Sequence, residues 1–261
     1  MDEITHKSFS VDDPWSPLKQ FTEARIALGR TGSGLPTKKL LELSMAHAHA
    51  RDAVYAELDF DKLHEQLEPF KLVILDLKST ATNRALYLQR PDMGRRLHPT
   101  SAELLPPFGN YPADIAIIVA DGLSASGINL HVFPLVNELI PLLQSQGLPI
   151  GPICLAEQAR VAIADDIGFG LKAKLSIILI GERPGLSAAD SIGAYITFMP
   201  RPGLTDDARN CVSNIRPGGL SFKLAAGKIS YLVQQALRKQ LSGVGLKDDE
   251  DTQPSKIISP D

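Results

Sequence analysis

From Ala113 onward, short apolar runs alternate with stretches of helical periodicity, and few folds satisfy that alternation. The runs are ADIAIIVADG (113–122), LPIGPICLA (148–156), KLSIILIG (174–181) and AYITFMP (194–200). After the first, Ile128, Val132, Val136, Leu139 and Leu143 recur on one helical face, with Pro134 and Pro141 counting against an unbroken helix. Residues 157–170 return to helical character. A short Ser/Ala-rich helix near 187–193 and a last amphipathic helix over about 226–241 complete the pattern. Strands that are apolar without polar alternation are buried on both faces, and helical crossovers connect parallel strands. The expectation over 111–245 is therefore an α/β domain with a Rossmann-like, doubly wound, mostly parallel sheet.

The first 110 residues read differently. Leu40, Leu43, Ala46, Ala50, Ala53, Val54 and Leu58 share one face of a helix that Thr37 is placed to cap. FKLVILDLKS (70–79) has strand length, and the Pro- and Arg-containing stretch from Ser79 to Pro112 reads as a boundary. This gives a mainly helical N-terminal subdomain at 21–110, with mobile tails at 1–20 and 246–261.

Composition narrows the function. The 261 residues carry 27 Lys and Arg against 30 Asp and Glu, without the basic footprint that nucleic acid or an anionic membrane demands. Cys154 and Cys211 form no C-x-x-C pair, which argues against a disulfide framework or a thiolate zinc site. No window approaches the roughly 18 apolar residues of a membrane span, and no secretory leader is visible, so a cytoplasmic location is expected.

In a doubly wound sheet, ligands bind beyond the carboxyl ends of the strands. That rule selects three turns: DGLSASG (121–127), CLAEQARV (154–161) and IGERPG (180–185). None has the glycine spacing of a dinucleotide fingerprint or a phosphate loop. Gly122 to Gly127 resembles a nucleophile elbow but has Ser126 where glycine belongs, so Ser124 and Ser126 read as helix caps. His47 and His49, two residues apart, point to different helix faces and make no joint metal site. Glu182 ends an apolar run before Pro184-Gly185. Its carboxylate is placed either to accept hydrogen bonds from a large polar ligand, or to pair with Arg183 or cap a following helix. Arg160 and Val161 share that ambiguity. Cys211 is either a ligand contact or core.

Seven strings bring these turns together: ARIALGRTGSGLPT (24–37), HAHARDAVYAELD (47–59), YLQRPDMGRRL (87–97), ADIAIIVADGLSASGIN (113–129), ARVAIADDIG (159–168), LIGERPGLSAADSIGAYITFMPRPG (179–203) and CVSNIRPGGLSF (211–222). With them, the chain from about residue 15 to 245 resembles the small subunit of ethanolamine ammonia-lyase. The resemblance implies a subunit of an adenosylcobalamin-dependent lyase that converts ethanolamine to acetaldehyde and ammonia. The substrate site would lie in a large TIM-barrel subunit, and the small subunit would hold the corrin side of the cofactor. It maps cofactor contacts onto Val161, Glu182 and Cys211, and no catalytic or metal-ligating residue onto this chain. It further implies an oligomer of large–small heterodimers within a bacterial microcompartment. The Arg-rich 87–97 loop and the small-residue helix at 40–58 are more than a compact α/β domain needs, so they are expected to pack against the large subunit, the alternative being a solvated loop. No histidine here stands in the D-x-H-x-x-G pattern that replaces the cofactor's own base, so base-on binding is expected. The competing readings are a stand-alone nucleotide-using Rossmann enzyme and a non-catalytic interaction module.

Overall fold

A computed structural model describes residues 13–109 and 113–249. The expected tails therefore fall largely outside the described residues, apart from a 3-10 turn at Ser16–Phe21. One six-stranded mixed sheet organises the chain. Its strands are β1 (Ile74–Lys78), β2 (Ile115–Ala120), β3 (Ile150–Glu157), β4 (Leu175–Gly181), β5 (Ile192–Phe198) and β6 (Arg209–Ile215), in the spatial order β1-β3-β2-β4-β5-β6. The first four run parallel, β5 lies antiparallel to β4, and β6 antiparallel to β5.

Why β2 and β4 occupy the centre follows from their sequences. Every residue of IAIIVA and LSIILIG is buried, as a strand covered on both faces requires. Ile115, Ile117 and Val119 face α5 (Ala125–Ser145) and α7 (Phe222–Lys239), while Ala116, Ile118 and Ala120 face α6 (Ile163–Gly170). Thus the helices after β2 and after β3 lie on opposite faces. Neighbouring strands whose helices diverge in this way leave a crevice at their carboxyl ends.

Several expectations need correction. The chain at 182–191 is irregular rather than helical, and β4 and β5 form an antiparallel pair that needs no crossover. Its backbone groups are committed elsewhere. Glu182 N donates to Ser191 O (3.0 Å), Gly185 N to Ala188 O (2.7 Å), and Ala189 O accepts from the Ser124 hydroxyl (2.8 Å). The prolines do not break α5, whose predicted stripe is buried throughout. Helix α1 (Thr37–Tyr55) starts at Thr37 itself, so Pro36 holds the cap position and the threonine side chain caps nothing. Only Ala53 of α1 is buried. Of the apolar face read from the sequence, Ala53 and Leu58 are buried, Leu43, Ala46, Ala50 and Val54 are half-buried and Leu40 alone is exposed, while Leu41, Met45 and Tyr55, outside that face, are exposed as well. Short helices α2 (Phe60–Leu67), α3 (Arg84–Gln89) and α4 (Pro99–Ala102) flank β1, and Leu63 and Leu67 of α2 enter the main core.

Candidate functional site

The three turns singled out above meet at the carboxyl ends of β2, β3 and β4, and the residue that joins them is Asp121. Its carboxylate accepts from the amides of Gly122 (2.8 Å), Gln158 (2.8 Å) and Ala159 (2.8 Å), which ties the first turn to the second. Leu123 N donates to Gly181 O (2.9 Å) and ties the first to the third. Ser124 caps α5 through Gly127 N, as expected of its residue type.

Burial raises the Asp121 carboxyl to about 6, against the pull of the three amides and Arg84. The folded chain therefore holds this proton more tightly than the unfolded one. The stabilisation is fully present below about pH 4 and is lost as pH rises through about 6, on the order of 3 kcal/mol across that window. Asp121→Asn removes the titration. Urea unfolding between pH 4 and 7 should show a smaller loss of stability on raising pH in the variant than in the parent chain. Parallel profiles would contradict this assignment.

Beside this knot lies a cleft of about 410 Å³ lined by Tyr87, Leu123, Arg160, Val161, Glu182 and Tyr195 among others. Strand parity explains its wall. Glu182 continues the face of Ile178 and Ile180, and Tyr195 and Cys211 are directly paired across β5 and β6. Both flank Glu182. The Cys211 thiol and the Glu182 carboxylate each bear on the Tyr195 hydroxyl, which burial pushes well above its usual range. Val161 packs at the edge of the α6-side core, immediately before α6.

The structure thus brings Val161 and Glu182 onto one cleft, with Cys211 outside its lining, beside Tyr195. Glu182 is half-buried rather than buried, and its partner is neither Arg183 nor a helix terminus. It accepts from Asn214 N at 3.2 Å, which leaves carboxylate lone pairs facing the cleft. Cys211 is exposed rather than core. His47 and His49 are both exposed on α1.

Sequence reasoning missed two members of the site. Tyr87 is fully buried and donates its hydroxyl to Ala159 O (3.1 Å), and the guanidinium carbons of Arg84 (4.6 Å) and Arg160 (4.3 Å) both lie over its ring. Nothing local marks it. Asp121 had a usable signal, a carboxylate closing an otherwise wholly apolar strand.

A profile of the ethanolamine ammonia-lyase light chain (EutC) matches residues 12–247, which include every residue of this site. The chain belongs to that family. Among its relatives, the ethanolamine ammonia-lyase small subunit of Pseudomonas aeruginosa (strain UCBPP-PA14) is 49% identical over 254 residues, covering 96% of this chain and 93% of the relative. The small subunit of Azotobacter vinelandii is 49% identical (94% and 92% covered), and that of Ralstonia nicotianae 50% identical (90% and 88%). Membership in a small-subunit family implies a large-subunit partner and a lyase as the whole enzyme.

Proposed function

We propose that this chain holds adenosylcobalamin, base-on, against a large TIM-barrel subunit in which ethanolamine is converted to acetaldehyde and ammonia. The observation that carries the reading is that Val161 and Glu182 line one cleft at the carboxyl ends of the parallel strands, with Cys211 next to it, paired with the cleft residue Tyr195. The residues suit the group. A corrin presents apolar methyls and amide side chains at its rim, and the cleft offers Val161, Leu123 and Ile180 beside a carboxylate with free lone pairs. A volume of about 410 Å³ takes an edge of a corrin and leaves the remainder for a second chain to cover. No histidine lines the cleft among the described residues, which favours the base-on mode.

When bound, the cofactor supplies the radical by homolysis of its Co–C bond. The work of this chain is to orient and shield. Glu182 accepts from amide N–H groups, Val161 and Leu123 exclude water from one rim, and the knot around Asp121 keeps the three turns in register. The stand-alone nucleotide enzyme loses support, since no phosphate loop stands at any of the three turns. Cytoplasmic microcompartment residence rests on family membership. It accords with the finding that no helix among the described residues is long and apolar enough to cross a membrane.

Isolated, the chain should show no ethanolamine turnover with adenosylcobalamin; mixed with its large subunit it should. Substantial turnover by the chain alone refutes the division of labour. Glu182→Ala should weaken cobalamin binding by the complex roughly tenfold to a hundredfold, the loss of a charge-assisted acceptor, while thermal unfolding without cofactor stays nearly unchanged. Equal affinity in a folded variant removes Glu182 from the site. The large subunit docks, in an oligomer of large–small pairs, on the exposed Leu41, Met45 and Tyr55 of α1. Amide exchange at 37–55 should slow by about tenfold or more in the complex, and equal rates with and without partner would exclude this face.

A further inference from the structure

Arg84, Arg209 and Arg216, whose side chains are largely buried, each hold a carboxylate. Arg84 gives Nε to Val54 O (2.6 Å) and Nη1 to Gly122 O (2.9 Å), with Asp121 at 3.4 Å, and only its Nη2 is buried without an acceptor. Arg209 forks onto Asp165. Arg160 does not. Among the described residues no carboxylate lies within ion-pair distance of it, and its buried Nε donates to nothing. A guanidinium stays charged, and a buried donor without an acceptor is costly, so a position like this calls for a compensating group.

The position is nonetheless built with care. Arg160 N donates to Gly94 O at 2.7 Å, its guanidinium lies over the Tyr87 ring, and the Tyr87 hydroxyl is anchored on Ala159 O. At residue 94, a Cβ would come within 2.9 Å of both Arg160 Cγ and the Tyr87 ring, so glycine there is what lets stem and ring close together. The RPDMGRR loop thus braces Arg160 against the wall of the cleft that also holds Glu182 and Val161.

We infer that Arg160 is a further cofactor-binding residue, whose braced, unspent guanidinium donates to acceptor oxygens of the bound cobalamin in the Val161–Glu182 cleft. The inference rests on the reading of the cleft given above. Two sources offer that chemistry: the amide carbonyls of the corrin rim, where Arg160 would take the oxygen and Glu182 the N–H, and the phosphate of the nucleotide loop.

The test titrates the large–small complex with cyanocobalamin and with cobinamide, which lacks the nucleotide loop, following the visible absorption of the bound corrin. Arg160→Ala should weaken cyanocobalamin binding about tenfold to a hundredfold, with the melting temperature of the ligand-free complex held. A loss for both ligands assigns the amide carbonyl, and a loss for cyanocobalamin alone assigns the phosphate. Arg160→Lys, which keeps the charge but not the planar fork, should fall between, and it reads the same quantity if the alanine variant fails to assemble. Gly94→Ala should weaken binding in the same direction without touching the guanidinium. Unchanged affinity for both ligands in folded Arg160 variants overturns the inference. Glu182→Ala run alongside separates the failures: a loss there with none at Arg160 sinks the arginine alone, and no loss at either sinks the cleft.

Discussion

Gly122→Ala is expected to cost about 3–5 kcal/mol, from left-handed backbone strain together with overpacking. Against a total of about 5–15 kcal/mol, this is enough to leave much of the protein unfolded. Gly122 has φ +58°, and a Cβ there would overlap the Gly181 carbonyl oxygen and meet Ile180 Cγ1 at 2.5 Å. That carbonyl cannot withdraw, because Leu123 N is bonded to it and β4 is buried along its whole length. Gly203 is the control. It too has positive φ, +93°, but nothing lies within 4 Å of its would-be Cβ, so Gly203→Ala carries conformational strain only, about 1 kcal/mol. Urea midpoints of the two variants isolate the close approach from the strain, and equal midpoints would contradict it. Any folded fraction of Gly122→Ala should also bind cobalamin poorly, since the displaced turn carries Leu123 of the cleft.

The parts of this architecture that sequence reveals are those whose environment is uniform. The apolar runs of β2, β3 and β4 are buried on both faces, so each reads as a strand with no knowledge of its neighbours. Strand β6 escapes because only Arg209, Val212 and Ile215 are buried in RNCVSNI, which breaks the two-residue period. The segment at 187–193 carries helix-compatible Ser and Ala, but Ser124 and Glu182 claim its backbone from elsewhere. For α1 the apolar periodicity marks the side that packs toward α5, with Ala53 and Leu58 buried and Leu43, Ala46, Ala50 and Val54 half-buried, whereas the exposed Leu41, Met45 and Tyr55 fall outside that period. Within the site, the carboxyl-end rule locates Val161 and Glu182. Tyr87 and Gly94 act across 60 or more residues of intervening chain, and no local pattern encodes such a contact.

Asp165→Ala is expected to cost about 3–5 kcal/mol, because it takes the bidentate, buried partner from the Arg209 guanidinium and leaves it only the exposed Asp206 carboxylate. The pair is bidentate, Nη1 to Oδ1 at 2.6 Å and Nη2 to Oδ2 at 2.7 Å, and the two side chains are 1% and 3% exposed. The acceptors left would be Thr197 Oγ1 and Leu204 O, each at 3.3 Å, and the exposed Asp206 carboxylate, 3.5 Å from Nε. The attraction between the charges is largely offset by their desolvation, so the pair itself contributes far less than its rupture costs. Hence Asp165→Leu combined with Arg209→Met should recover most of the lost stability, and a double-mutant cycle in urea measures the coupling. A double variant as unstable as the sum of its singles would refute this account. The pair also has a place in the site's geometry. It fastens α6, entered just after Val161, to the start of β6, with Cys211 two residues beyond Arg209 on the same face. The single variant should therefore lose cobalamin affinity along with stability, whereas the apolar double variant, if it keeps α6 seated on β6, should regain both together.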